Sequence, residues 1–193
     1  MRIISGEHRG RRLLEFKGMD IRPTTDRVKE SVFNLIQEYI SGAEVLDMFG
    51  GSGALSLEAL SRGAAHAVCI DKDRRAADII RKNAQTLNYT DKCEILNGDS
   101  FEYLRRCGRS FDIVFLDPPY NKGFIEPALR GISENDILSE GGIAVLESDD
   151  TDFFGEADGL EIIKQRKYGR TYITVYRKKE LTDGKNSNLS GKL

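Results

Sequence analysis

The sequence predicts an α/β chain: a seven-stranded, mostly parallel sheet with helices on both faces, a C-terminal antiparallel hairpin, and a β-hairpin arm in front. Three observations predict it. From residue 43 onward, short apolar runs alternate regularly with longer amphipathic ones, as in a parallel sheet covered by helices. The last two apolar runs, at residues 160–164 and 172–176, leave no room for a helix between them and must pair antiparallel across Tyr168, Gly169 and Arg170. A glycine-rich turn directly follows the first strand candidate and opens a helix. At 193 residues the chain suits one domain, and a domain of such size buries roughly 70% of its unfolded surface.

Taken in order, residues 1–16 alternate weakly around Gly6 and Gly10, which suggests the hairpin arm. Pro23, Thr24, Thr25 and Asp26 then open a helix. Thr25 is placed to cap it, Asp26 suits the helix dipole, and Val28, Val32, Leu35, Ile36 and Tyr39 recur at helical spacing. Strands are expected at residues 44–46, 67–70, 94–96, 112–116 and 143–146 before the terminal pair, with helices near 54–62, 74–88, 100–107 and 124–138. Beyond Glu180 the chain is poor in apolar residues and rich in Gly, Ser, Asn and Lys, so residues 180–193 are expected to be a disordered tail.

Composition excludes several classes. No apolar run approaches the roughly 18 residues of a spanning helix, and the N-terminus turns polar too early for a secretory signal, so a cytoplasmic protein without a membrane partner is expected. Cys69, Cys93 and Cys107 lack paired spacing and read as reduced, buried thiols. His8 and His66 are the only histidines, too few and too far apart for a metal site or a Ser-His-Asp relay, so no metal is expected. The net charge of -2 argues against a general nucleic-acid binder. The distribution says more: Arg2, Arg9, Arg11 and Arg12 crowd the first dozen residues, and residues 164–179 hold seven cations with no acid. Either run alone is ordinarily a solvated face. Together, at opposite ends of the chain, they suggest a rim that faces RNA.

The cofactor site is expected at the turn running from Asp47 through Phe49, Gly50, Gly51 and Ser52 to Gly53. Glycines let the backbone turn sharply and approach a ligand, and the helix that follows offers unpaired N–H groups. Asp71 ends the second strand, where a carboxylate can accept both hydroxyls of an adenosine ribose. Asp99 follows the third strand at the same edge and could accept an adenine amino group. Singly, either acid could be a helix cap. The turn, Asp71, Asp99 and Asp117 nevertheless converge on one sheet edge, where open α/β sheets bind ligands. Lys72 and Ser100, beside those acids, complete the expected set. A nicotinamide dehydrogenase shares the turn, but its third glycine would fall at Ser56 and no Tyr-x-x-x-Lys pair is placed for hydride chemistry.

Asp117, Pro118, Pro119 and Tyr120 end the fourth strand, beside the glycine turn. The exocyclic amine of a base is a poor nucleophile because its lone pair is delocalised into the ring. The Asp117 carboxylate and the Pro118 carbonyl could each accept one N–H and aim the lone pair at a methyl sulfonium, with the prolines stiffening the loop. Tyr120 would stack on the extruded base, at a gain of roughly 1 to 3 kcal/mol. The plain alternative is a Pro-Pro strand stop with Tyr120 filling a gap. The pattern fits S-adenosylmethionine-dependent methylation of an amine.

On these residues the chain resembles the Rossmann-like class I methyltransferases, and more narrowly the bacterial 16S rRNA guanine-N2 methyltransferase (RsmD-like) family. The matching stretches are Arg2-Ile3-Ile4-Ser5-Gly6 with Arg9-Gly10, Arg22-Pro23-Thr24-Thr25-Asp26-Arg27-Val28 with Phe33-Asn34, residues 47–64, and the Asp-Pro-Pro-Tyr loop. The resemblance implies methyl transfer from S-adenosylmethionine to N2 of a guanine in 16S rRNA, with the small ribosomal subunit as substrate. It places the cofactor on Gly51, Gly53, Asp71 and Asp99 and the guanine on residues 117–120. It also makes residues 1–42 an arm and helix that contact RNA, with Arg2, Arg9, Arg11, Arg12 and Arg22 as candidates, and residues 43–179 the methyltransferase domain, taken as monomeric. Gly50 stands where an alanine is expected. Lys122 and Phe124 are left open between substrate contact and loop packing. An adenine-N6 DNA methyltransferase would need a recognition region this chain lacks, and a protein glutamine methyltransferase resembles Asn-Pro-Pro-Tyr. A non-catalytic ribosome-assembly factor is the alternative of a different class.

Overall fold

The computed structural model describes residues 1–15, 26–119, 122–149 and 155–179. The expected cap Thr25, together with Arg22, Tyr120 and the tail at 180–193, lies outside the described residues. β1 (Glu44–Asp47), β2 (His66–Asp71), β3 (Cys93–Asn97), β4 (Phe111–Leu116), β5 (Leu138–Asp149), β6 (Leu160–Tyr168) and β7 (Thr171–Lys178) form one sheet in the order β3-β2-β1-β4-β5-β7-β6. The first five strands run parallel, and β7 lies antiparallel between β5 and β6. The winding reverses between β1 and β4, so their carboxyl ends flank the crevice where such sheets bind ligands.

The middles of the central strands are apolar on both sides because both sheet faces are covered. On one face Val45, Ala67, Cys69, Ile113, Phe115, Ile143 and Val175 pack with Val32 and Phe33 of α1 (Asp26–Leu35), Leu57 of α3 (Ala54–Ser61) and Ile80 of α4 (Arg74–Thr86). On the other, Leu46, Val68, Val114 and Leu146 pack with Leu104 of α5 (Ser100–Arg106) and Leu129 of α6 (Ile125–Glu134). Alternate residues of each strand thus feed separate cores.

Several expectations are corrected in detail. The single helix expected after Thr25 is broken at Ile36, with φ -114° and ψ 15°, into α1 and a short α2 (Gln37–Ile40). The helix expected over 124–138 stops at Glu134: Asn135 caps it, Asp136 takes a left-handed φ of 55°, and Leu138 already begins β5. β5 is far longer than the four residues anticipated, because β4 pairs it from Leu138 and β7 pairs it as far as Asp149. Of the thiols, Cys69 and Cys93 are buried but Cys107 is only partly so.

The arm folds back on itself through an Arg2–Arg12 bridge, with Ile3 N donating to Arg11 O and Leu13 N to Met1 O. With Gly10 N also donating to Ile3 O, it is a short antiparallel reversal whose ladder is one bridge long. Ile3 and Leu13 enter the core below it. Glu58, fully buried on α3, accepts hydrogen bonds from Ile4 N at 2.8 Å and Ser5 N at 3.0 Å. The same carboxylate pairs with the equally buried Lys29 of α1 at 3.1 Å and with Arg62 at 2.7 Å. Burial holds the Lys29 ammonium below its ordinary pKa, with Glu58 opposing that shift. Gly6 lies so close to the end of α3 that a Cβ would fall 1.8 Å from Ser61 O.

Candidate active site

The turn after β1 is shaped by glycines with distinct reasons to be glycine. Gly51 and Gly53 adopt left-handed φ values of 56° and 78°, a conformation costly for other residues. A Cβ on Gly50 would sit 2.7 Å from Ile80 Cδ1, so the alanine expected there would push on this chain's Ile80. Gly50 N donates to Ile70 O at 2.8 Å, and Gly51 N donates to Asp71 Oδ2 at 2.8 Å. Gly53 opens α3 with no side-chain cap, which leaves a helix N-terminus suited to a negatively charged group.

Each expected acid has its place. Asp71, half-buried at the end of β2, accepts from Gly51 N and, through Oδ1, from Asp73 N at 2.8 Å. Burial raises its pKa against the effect of those bonds. Each oxygen holds one backbone N–H and keeps a further lone pair. Asp99 caps α5 through Oδ1, accepting from Phe101 N at 2.9 Å and Glu102 N at 3.2 Å, while Oδ2 lies 3.7 Å from Lys72 Nζ. Capping and an open acceptor therefore coexist in one carboxylate. Lys72 is exposed and Ser100 is buried at the head of α5.

Asp47 is placed differently from the other two. It is 1% exposed, with Oδ2 accepting from Ser56 Oγ at 2.9 Å and Oδ1 from Phe49 N at 3.3 Å. Burial pushes its carboxyl up to about 7, against the Ser56 bond and with Asp117 adding to the rise. Its contacts make it an internal brace of the turn. Ser56, where a dinucleotide fold would have glycine, is the hydroxyl that satisfies this buried acid.

Asp117 and Pro118 follow β4, whose Phe115 is in register with Asp47 and accepts from Met48 N at 3.2 Å. Asp117 is half-buried, Pro118 buried and Pro119 exposed. The loop thus leaves the sheet next to the glycine turn, across the β1–β4 crevice. Phe124 packs: its ring lies 6.0 Å from that of Phe49 and 5.9 Å from that of Phe101, joining the loop to the turn and to α5. Lys122 is exposed.

The cations divide. Arg2 is bonded to Asp26 at 2.8 Å and Arg11 to Thr86 O at 3.3 Å. Arg9 and Arg12 are exposed on the arm. In the C-terminal run, Lys164 pairs with Glu38 at 2.7 Å, Arg177 with Glu161 at 2.7 Å, and Lys178 with Asp136. Three of the seven cations in this stretch, which is free of acids in sequence, are thus paired with acids in space. No helix among the described residues is long and apolar enough to cross a membrane.

Sequence reasoning missed three polar residues that hold this site together: Ser56, Glu58 and Asn83. Glu58 had a readable signal, being the one acid in the otherwise apolar or small α3 sequence ALSLEALS. Asn83 had none, because a polar residue on a helix is ordinarily solvated.

Residues 1–177 match the family described as conserved hypothetical protein 95. The Escherichia coli K12 protein named ribosomal RNA small subunit methyltransferase D is 40% identical over 149 residues, 77% of this chain and 75% of that protein. Its Haemophilus influenzae namesake is 34% identical over 180 residues, 92% of this chain and 93% of that protein. The solved structure of the Escherichia coli methyltransferase yhhF superposes with a TM-score of 0.83 at 34% identity, covering 93% of this chain and 98% of that one. With a class I methyltransferase sheet and matches of this extent, the chain belongs to the conserved hypothetical protein 95 family, in which its relatives are the small-subunit ribosomal RNA methyltransferases D.

Proposed function

We propose that this chain transfers a methyl group from S-adenosylmethionine to the exocyclic N2 of a guanine in the 16S rRNA of the small ribosomal subunit. The carrying observation is the position of Asp117 and Pro118, at the mouth of the β1–β4 crevice and next to the glycine turn. The relatives' names supply the rRNA and the small subunit.

The residues present fit the cofactor. Two left-handed glycines and an uncapped α3 suit its carboxylate. The free lone pairs of Asp71 suit ribose hydroxyls, and Asp99 Oδ2 suits the adenine amino group. When bound, S-adenosylmethionine supplies an electrophilic methyl on a positively charged sulfur. Asp117 and the Pro118 carbonyl each accept an N–H of the guanine amine, which restores lone-pair character to the nitrogen. In exchange for the methyl, whose transfer leaves S-adenosylhomocysteine, the amine would give up one proton, which Asp117 would take and pass on to water. Tyr120 stacks on the extruded guanine. Arg9 and Arg12, exposed on the arm, meet phosphates.

The test is incubation with methyl-labelled S-adenosylmethionine and small subunits that lack their native methylation. Label in a single 16S guanine, reduced at least about a hundredfold by Asp117→Ala as expected for loss of a positioned acid–base group, supports the reading. Label confined to DNA or protein, or an unaffected variant, overturns it.

A further inference from the structure

Asn83 lies on α4, outside the glycine turn, the acids and the Asp117 loop, and is only 1% exposed. Its amide is fully engaged. Oδ1 accepts from Leu14 N at 2.8 Å, while Nδ2 donates to Leu14 O at 3.0 Å and to Ser52 O at 2.8 Å. Leu14 stands at the end of the arm, and Ser52 sits between the two left-handed glycines of the turn. One buried side chain therefore holds the peptide groups of both. The arm is also fixed farther along the same helix that the turn opens: Glu58 and Ser61 of α3 hold Ile4, Ser5, Glu7 and His8. Arm, α3 and turn form one hydrogen-bonded body, and Asn83 bridges arm and turn directly.

A Ser52 carbonyl tied to Asn83 cannot reorient without disturbing Leu14, because a buried amide left without a partner is costly. We propose that Asn83 is a positioning residue through which seating of the arm on RNA and binding of the cofactor at the turn strengthen each other. The coupling rests on the reading above, in which the turn takes S-adenosylmethionine and the arm meets rRNA. It is reciprocal: whatever RNA contributes to cofactor affinity, the cofactor contributes to RNA affinity.

The full-length protein tests this by equilibrium dialysis of labelled S-adenosylhomocysteine, with and without small subunits lacking the native methylation. Amide hydrogen exchange of residues 1–15, with and without S-adenosylhomocysteine, gives a second readout. In the wild type, subunits tighten S-adenosylhomocysteine by about fivefold or more, within the usual range of coupling between sites. The ligand also slows exchange at the Ile3 and Leu13 amides, which close the arm. In Asn83→Ala the two affinities agree to within about twofold and the slowing is lost. Leu14→Pro removes the N–H that Asn83 accepts, at a residue 52% exposed, and abolishes the mutual tightening of the two affinities even if Asn83→Ala fails to fold. A merely structural Asn83 would lower thermal stability and both affinities while leaving their ratio unchanged, and that outcome overturns the proposal. So does a wild type that binds both ligands with no mutual tightening. A wild type that binds neither S-adenosylhomocysteine nor subunits overturns the functional reading itself.

Discussion

Asp47 and Asp71 end neighbouring strands, yet one carboxylate is sealed inside the turn and the other stays half-open at its rim. Position in sequence made both legible as edge acids. It could not tell the sealed carboxylate from the open one, because that depends on Ser56 reaching back from α3 to Asp47. The distinction has a consequence in pH. Asp47 titrates near 7 when folded and near 3.8 when unfolded, so the native chain holds the extra proton between those values. Stability contributed by that proton is present at the acid end of the window and is lost as pH rises through about 7. Thermal unfolding from pH 5 to pH 8 should show a steeper loss for the wild type than for Asp47→Asn, and parallel curves would refute the assignment. Asp99 is another mixed case, legible as either cap or ligand, and its geometry permits both at once.

At the scale of elements, all seven strands were legible because hydrophobic runs and turn residues agree, whereas helix ends were not. α6 ends early because Asn135 and the left-handed Asp136 turn the chain toward β5, and the apolar pattern runs on through Ile137 and Leu138 regardless. The arm was legible as a reversal but not as a docked element, since docking depends on Glu58 accepting two backbone N–H groups fifty residues away in sequence. Glu58→Ala should cost about 3 to 5 kcal/mol, because Lys29 would be left buried and uncompensated. Denaturant unfolding measures it, and a loss under 1 kcal/mol would contradict a buried pair. Gly6→Ala should act more locally. Its methyl collides with Ser61 O, so the arm lifts and trypsin should cut at Arg9, Arg11 and Arg12 faster than in the wild type. Unchanged cleavage would mean that the arm is not held there.

The whole molecule carries a net charge of -2, and much of the positive charge near its C-terminus is spent on internal acids. So acidic a body has little general attraction for phosphate. Assembled small subunits should therefore be methylated faster than free 16S rRNA, since a folded particle presents phosphates to Arg9 and Arg12 in fixed places; equal initial rates would argue against this. The sheet order has a consequence of another kind. β7 follows β6 in the chain and is the last of the described strands, but it lies inside β6, directly against β5. In a chain stopped before Thr171, the outer backbone edge of β5 from Ile143 to Asp149 lacks its β7 partner. A nascent chain paused before that point exposes an open edge to its neighbours, so completion of the barrier against self-association waits for β7, and shortening the chain into β7 should yield insoluble protein even though every residue of the crevice is already made.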